Sequence, residues 1–175
     1  MKLDICRYGN DILKQKTTAV ETITEDTKAL VKDMVETMHK ANGVGLAAPQ
    51  VGRSECVCVI DVPSDAEDEE FAEANVSIKM PLIMINPEIL STDKTLRRQE
   101  GCLSFPSFYV DLTRARTVTF SYTDLNGERK TATASGLLAR AVQHEIDHLN
   151  GITLPDRMSP AQRLMNVRKL KELKE

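Results

Sequence analysis

The chain has 175 residues, of which 41% are hydrophobic and 28% are charged, and this composition is typical of a globular protein rather than a disordered or fibrous one. With 23 basic and 26 acidic residues its net charge is −3, so it lacks the basic excess that nucleic-acid binding needs. We expect no direct sequence-specific contact with nucleic acid. The length is that of one domain, which predicts a single domain over residues 1–175.

The sequence also predicts where the protein works. No apolar run approaches the ~20 residues that span a bilayer, so we expect no membrane partner. Residues 1–6 lack the basic and apolar regions of a signal peptide. Four cysteines are too few for a disulfide framework in a chain of this size (Cys6, Cys56, Cys58 and Cys102). These features predict a cytoplasmic location.

A first helix is predicted over residues 24–41. Thr24 is a suitable N-cap, and Asn42 and Gly43 tolerate the left-handed conformation at a helix end. Apolar residues recur on one face of this segment, namely Leu30, Val31, Met34, Val35 and Met38. The helix should therefore pack with that face on the core.

The middle of the chain is predicted to form a sheet. Short β-rich runs occupy residues 56–60, 81–89, 117–123 and 130–134. Asn126-Gly127 indicates a two-residue hairpin between the last two runs. Between the first two runs, the acidic block of residues 65–70 is interpreted as a solvated loop.

Two helices are predicted near the C-terminus. One begins at Ser135-Gly136 and continues through His148, and the other covers residues 159–175 with Ser159 as its cap and its apolar side on the domain. A helix, then strands, then helices indicate an α+β fold rather than an alternating parallel one.

The pattern His144-Glu145-x-x-His148 lies inside the first of these two helices. Histidines four residues apart project from one helical face and can bind one metal ion, while the glutamate can reach a water on that ion. The same helix is otherwise apolar, so unpaired imidazoles on its buried face would be costly. We therefore expect a metal site for hydrolysis.

A third protein ligand is needed, and the downstream sequence offers poor candidates. Leu154 stands where one zinc-protease pattern has a third histidine, and Glu172 lies in a charged tail. Cys102, in the upstream run Glu100-Gly101-Cys102-Leu103-Ser104, is a better candidate because thiolate and imidazole together suit zinc or iron. The spacing alone leaves open whether Cys102 is a ligand or an inert buried thiol.

A third stretch, Gly43-Val44-Gly45-Leu46-Ala47-Ala48-Pro49-Gln50, is rich in small residues and ends in an amide. Taken in order, this stretch, the run around Cys102 and Gln143-His144-Glu145-Ile146-Asp147-His148 resemble the three motifs of peptide deformylases. The resemblance extends from about residue 5 to residue 158. It implies antiparallel β-sheets that surround a metal-binding helix, with a helix near each terminus.

The resemblance further implies a reaction and the residues for it. Cys102, His144 and His148 would bind Fe²⁺, for which Zn²⁺ or Ni²⁺ can substitute, and water would take the fourth position. Glu145 would move the proton, while the Gln50 amide and the Leu103 backbone N–H would hold the oxyanion. The single catalytic domain would remove the N-formyl group from the N-terminal methionine of newly made proteins and release formate.

Substrate contacts and a further partner follow from the same resemblance. N-formylmethionyl nascent peptides would lie along residues from three segments: Gly43, Val44, Gly45, Gly101, Leu103, Ala141 and His144. The C-terminal helix would contact the ribosome. In place of an arginine that many members have near the substrate, this chain has Phe108-Tyr109.

Two other classes of function fit the residues less well. One is a His-Glu-x-x-His metalloendopeptidase, which would cleave an internal bond of an unformylated peptide. The other is a protein without activity, either with a closed structural zinc site or with a peptide-binding role. A closed site needs a fourth protein ligand, for which the sequence has only His39 and cysteines in unrelated segments.

Overall fold

The structure is a computed structural model, and it describes residues 1–174. Two short 3-10 helices, Asp11–Lys14 and Ala48–Val51, accompany the main elements. The main elements in chain order are α1 (Glu25–Lys40), β1 (Gly45–Ala47), β2 (Val57–Ile60), α2 (Glu69–Asn75), β3 (Leu82–Cys102), β4 (Phe105–Thr123), β5 (Arg129–Ser135), α3 (Gly136–Leu149), α4 (Leu154–Arg157), α5 (Pro160–Met165) and α6 (Val167–Glu172).

The five strands form one antiparallel sheet in the order β1-β2-β3-β4-β5. Helix α3 contacts every strand of this sheet, so the sheet surrounds the helix that contains His144 and His148. The predicted α+β class is confirmed, although a single five-stranded sheet takes the place of the several sheets that were expected. Helices lie near both ends of the described chain, as predicted.

The hairpin of β3 and β4 is the longest feature of the sheet. Only Leu103 and Ser104 separate its two strands, and Cys102 pairs with Phe105 across this turn. The predicted runs 81–89 and 117–123 cover only the base of the hairpin. On the β3 side its middle was not predicted because residues 90–99 are mostly exposed. Strand β4 does alternate, with Phe108, Val110 and Leu112 buried between exposed residues, and the prediction did not include this signal.

Three apolar clusters fix the positions of the elements. One lies between α3 and the sheet around Phe120 and Leu138, and a second lies between α1 and strands β1 and β2 around Met34. The third packs Phe105 of the long hairpin against the C-terminal segment. Cys58 is fully buried in the first cluster, and Cys56 is packed against that cluster, which agrees with their interpretation as small apolar residues.

Helix α1 agrees with the prediction in detail. The side chain of Thr24 accepts a hydrogen bond from the backbone N–H of Thr27, and the helix ends at Lys40. Four of the five residues of the predicted apolar face are buried, namely Leu30, Val31, Met34 and Met38.

The C-terminal segment departs from the prediction of one helix. It breaks at Asn166 into α5 and α6, and the side chain of Asn166 donates to the carbonyl oxygen of Gln162. Leu170 is buried as expected, whereas Leu164 is 75% exposed and Val167 is 60% exposed. The apolar residues of this segment therefore do not share one buried face, which corrects the expectation from the sequence.

Two connections also differ from prediction. Five residues, 124–128, join β4 to β5, with Gly127 in the left-handed region, so the turn is wider than the expected two-residue hairpin. The acidic block is only partly a loop, because α2 begins at Glu69. None of the helices among residues 1–174 is long and apolar enough to cross a membrane.

Candidate active site

Two elements bring the predicted metal ligands together. Helix α3 places His144 and His148 on one face, and their Nε2 atoms lie 3.2 Å apart. The β3–β4 turn places the sulfur of Cys102 at 3.2 Å from the His148 Nε2. All three ligand atoms lie within 4.8 Å of one another, and both histidines are buried. The prediction that Cys102 lies beside the histidine pair in space is confirmed.

The geometry of these three atoms fits a metal ion. Nitrogen ligands about 2.0–2.1 Å from a tetrahedral ion stand about 3.3 Å apart, close to the separation of the two rings. Burial lowers the pKa of His148 well below its ordinary value, which keeps the ring in the neutral form that binds metal. Among the described residues, no fourth His, Cys, Asp or Glu atom joins the group, so one position of a tetrahedral ion would stay open.

A buried carboxylate orients one of the rings. Glu100 Oε2 lies 2.8 Å from the His144 Nδ1, which directs the Nε2 of that ring toward Cys102 and His148. Arg114 donates two hydrogen bonds to Glu100, at 3.0 and 2.7 Å. Burial alone raises the pKa of Glu100, but the hydrogen bonds from His144 and Arg114 outweigh it and hold that pKa well below its usual range.

The ion-pair network extends beyond the ring. Arg140 donates to the other oxygen of Glu100 at 3.0 Å, and Arg114 also donates to Asp147 at 2.6 Å. Since Asp147 lies on α3 and Glu100 on β3, these charges join the helix to the hairpin. The side chains of Arg114, Arg140 and Glu100 are all at most 7% exposed.

Glu145 has the surroundings of a general base. Its side chain is buried, and its Oε2 has no hydrogen-bond partner among the described residues. Burial raises the pKa of this carboxyl to about 7, close to the value that suits proton transfer near neutral pH. A Cβ atom at Gly45 would overlap the carboxylate, so the small residue of β1 makes room for it.

Gln50 is held in one orientation by three contacts. Its Oε1 accepts the backbone N–H of Ala47 at 2.9 Å, which directs the amide nitrogen to the opposite side. The Nε2 donates to Ser104 Oγ at 3.1 Å and to Cys102 Sγ at 3.5 Å. The amide predicted from the small-residue motif therefore lies directly beside the cysteine.

A cavity of about 540 Å³ opens beside these groups. Every residue predicted to contact the substrate, and both Gln50 and Glu145, lie on its wall. From the sequence prediction the wall includes Gly43, Val44, Gly45, Gly101, Leu103, Ala141 and His144. The cavity thus joins all three motifs in one space.

Several residues of this region were not assigned from sequence. Glu100 begins the motif that contains Cys102, and its position two residues before that cysteine is the only sequence signal for a contact with the candidate metal site. Arg114 gives no local signal, because its partners Glu100 and Asp147 lie on other elements. Leu137 and Tyr109 also line the cavity, and Tyr109 is 63% exposed at its rim.

A sheet around a helix with a His-Glu-x-x-His pair, completed by a cysteine from a hairpin turn, defines a metal-dependent hydrolase. The polypeptide deformylase family model matches residues 2–164. The chain belongs to the polypeptide deformylase family.

Individual relatives extend this match over nearly the whole chain. A peptide deformylase of Endomicrobium trichonymphae is 43% identical over 173 residues, which cover 99% of this chain and 96% of the relative. A crystal structure of peptide deformylase from Ehrlichia chaffeensis has a TM-score of 0.87 at 34% identity. The match covers 98% of this chain and 96% of the Ehrlichia chain. A peptide deformylase from Synechococcus elongatus in complex with actinonin has a TM-score of 0.81 at 40% identity, with 98% of this chain and 85% of that chain covered.

Proposed function

We propose that this enzyme removes the N-formyl group from the N-terminal methionine of newly made proteins and releases formate. The observation that supports this best is the convergence of Cys102, His144 and His148 beside the buried carboxylate of Glu145 in one cavity. N-formylmethionyl nascent peptides are then the substrates. We further propose that residues 1–175 form a single catalytic domain.

The three converging residues would be the metal ligands. A bound divalent ion supplies a Lewis acid that polarises the formyl carbonyl and lowers the pKa of water. A thiolate with two imidazoles suits Fe²⁺, Zn²⁺ and Ni²⁺, and we propose Fe²⁺ as the native ion. Elemental analysis after anaerobic purification tests this, because iron should be lost in favour of zinc or nickel only after exposure to air.

Glu145 would act as the general base and then as the general acid. Glu145 lines the cavity and has one carboxylate oxygen without a partner among the described residues, and its pKa of about 7 lets it take a proton from water and pass that proton to the leaving amine. Because Glu145 gives up the same proton that it takes, its carboxylate is ionised again at the end of the reaction.

Gln50 and Leu103 would stabilise the negative charge that develops on the formyl oxygen. The Gln50 amide is already fixed by Ala47 and Ser104, so only its longer hydrogen bond, to Cys102, needs to be exchanged for one to the substrate. A donor that is positioned in advance loses little energy to reorganisation during the reaction. The backbone N–H of Leu103 would be the second donor.

The peptide would bind as an added strand. Strand β1 pairs only with β2 among the described strands, so its outer edge can hydrogen-bond to an extended chain that lies along Gly45 and the preceding Gly43 and Val44. Gly101 and Leu103 line the same cavity on the side of the hairpin. Ala141 and the edge of His144 would contact the methionine side chain.

Two substitutions test the proposal together. Cys102→Ala should lose the metal, whereas Glu145→Ala should keep it and lose formate release from formyl-Met-Ala by at least a hundredfold. Metal content is measured by elemental analysis and formate by a coupled assay. Full metal content and activity in Cys102→Ala would refute the assignment. Cleavage of an unformylated peptide at an internal bond, with formyl-Met-Ala left intact, would favour an endopeptidase instead.

We also propose a cytoplasmic enzyme that contacts the ribosome through its C-terminal helices. Helices α5 and α6 expose Leu164, Met165 and Val167 next to basic residues such as Arg163 and Arg168. Exposed apolar side chains can pack against a protein surface, and neighbouring basic side chains can bind RNA phosphates, so both fit a surface such as that of the ribosome. Deletion of residues 160–175 should abolish co-sedimentation with ribosomes, and unchanged co-sedimentation would refute this contact.

A further inference from the structure

The first turn of α3 is capped by a carboxylate from the distant acidic block. Glu67 Oε1 accepts the backbone N–H of Leu137 at 2.8 Å, and its Oε2 accepts that of Leu138 at 3.0 Å. These N–H groups have no acceptor within the helix, and a negative charge is favourable at the positive end of a helix. Ser135 occupies the N-cap position, but its hydroxyl bonds to Thr117 at 2.8 Å instead.

Other contacts hold the acidic segment against this turn. The side chain of Asn75, at the end of α2, accepts the backbone N–H of Ser135 and donates to its carbonyl oxygen, both at 2.9 Å. It also donates to Glu67 at 3.3 Å. Gly136 has a φ of 66°, and a Cβ atom there would overlap the Glu67 carboxylate and the ring of Phe71. The segment therefore lies in direct contact with the start of the helix.

The capped turn is also part of the cavity wall. Leu137, Ala141 and His144 are four and three residues apart, so they lie on one face of α3, and all three line the cavity. His144 is fixed separately by its contact with Glu100. A shift of the first turn would therefore move Leu137 relative to the cavity while leaving the metal ligands in place.

We infer that Glu67 is a positioning residue for substrate recognition. Through the two amides of the first turn it fixes Leu137, and with it the end of the pocket that receives the methionine side chain. This inference rests on the proposed function, since it concerns the fit of that side chain. It gives the acidic block of residues 65–70 a role at the active site without contact to the reacting atoms.

The test compares Glu67→Gln with Glu69→Gln, a matched control that removes the same charge from an exposed position of the same segment. The glutamine keeps only one acceptor oxygen, so one of the two amides loses its partner. Because a weakened cap would hold Leu137 less firmly, we expect Glu67→Gln to raise the KM for formyl-Met-Ala about threefold to tenfold. The kcat and the metal content should stay within twofold of wild type.

Two readouts separate positioning from general stability. The preference for formyl-Met-Ala over formyl-norvaline-Ala, which has a shorter side chain, should fall in Glu67→Gln but not in Glu69→Gln. Amide hydrogen exchange of at least one of Leu137 and Leu138 should accelerate at least tenfold in Glu67→Gln and in neither residue of Glu69→Gln, and this readout needs no substrate. Asn75→Ala should shift both readouts in the same direction.

An unchanged substrate preference, even with a lowered melting temperature, would mean that Glu67 only stabilises the fold and would overturn the inference. Exchange rates equal to those of the control would overturn it as well. A wild-type enzyme that releases no formate would instead refute the proposed function, while the exchange measurement still reports on the cap.

Discussion

Gly45 and Glu145 are so close that the glycine determines where the carboxylate lies. Gly45→Ala would place a methyl group on the carboxylate, whose surroundings on α3 are close-packed. We expect kcat to fall at least tenfold with unchanged metal content, because the base moves while the ligands do not. Formate release and elemental analysis of the same sample measure both quantities. Gly43→Ala meets only the flexible end of Leu103, so its effect on kcat should be smaller.

Glu100 stabilises buried positive charge as well as a histidine ring. Glu100→Gln would leave Arg114 and Arg140 without their shared carboxylate, and breaking a buried ion pair costs about 3–5 kcal/mol of unfolding free energy. Urea denaturation should show this loss. Glu88→Gln, an exposed position on the same strand, should change the unfolding free energy by less than about 0.5 kcal/mol. Equal losses in both variants would contradict a special role for Glu100.

Asp156 links helix α4 to the N-terminal region by hydrogen bonds. It accepts hydrogen bonds from the backbone and hydroxyl of Thr153, at 2.7 and 2.9 Å, and from Lys14 at 2.6 Å. Burial opposes ionisation, but the hydrogen bonds from Lys14 and Thr153 outweigh it, so the pKa of Asp156 is lowered. The folded state therefore favours the charged form. The contribution of the ionised Asp156 carboxylate to the unfolding free energy is complete above about pH 4. That contribution is lost as the pH falls through the lowered pKa.

Asp156→Asn should consequently lower the unfolding free energy by about 1 kcal/mol at pH 7, the usual effect of a lost cap, and by less at pH 3. Chemical denaturation at both pH values measures the difference. Asp93→Asn, at an exposed position of β3, is the control and should change the unfolding free energy by less than about 0.5 kcal/mol. A loss of the same size at both pH values would mean that the charge of Asp156 is irrelevant.

The helices could be predicted from sequence where their signals are local. Thr24 caps α1 and Asn150 ends α3 as expected, because capping residues act on amides within a few positions. The cap of α3 could not be predicted, since Glu67 lies about 70 residues earlier and only the fold brings it to Leu137. In the middle of the β3–β4 hairpin, β3 lacks an apolar period because residues 90–99 are mostly exposed. Strand β4 alternates at Phe108, Val110 and Leu112, so its middle could have been predicted from the sequence.

At the scale of the whole molecule, the metal should couple to stability. Cys102 on β3 meets His144 and His148 on α3 only in the folded chain, so an ion held by these residues would bind the native state in preference to the unfolded chain. At a free-ion concentration about 100 times Kd, binding should raise the free energy of unfolding by about 2.7 kcal/mol. This corresponds to an increase in Tm of about 5–10 °C for a chain of this length. Calorimetry with and without a chelator measures this shift.

Cys102→Ala should abolish the metal-dependent part of Tm, and Cys6→Ala, a cysteine outside the ligand group, should retain it. Equal Tm values for the wild type with ion and with chelator would contradict the coupling of metal binding to folding.

The metal centre was predictable to different depths. The two histidines follow from helical spacing alone. Ligand chemistry made Cys102 the preferred candidate, but only the resemblance to peptide deformylases assigned it, because no spacing rule links a hairpin turn to a later helix. The charged residues that support the site could not be predicted from the sequence. Arg114 contacts Glu100 and Asp147, which belong to two other elements, and such a three-way contact has no signature in a linear sequence.

The place of Cys102 in the turn of a long hairpin has a consequence for how the protein is made. Chains emerge from synthesis at about 5–20 residues per second, so this thiol appears about 2–9 s before both imidazoles that complete its site have been made. The hairpin pairs residues close in sequence and can form in that interval. Until α3 is synthesised, the sulfur of Cys102 lacks the two imidazole rings that lie beside it in the folded chain, so the metal group can assemble only after the hairpin is complete.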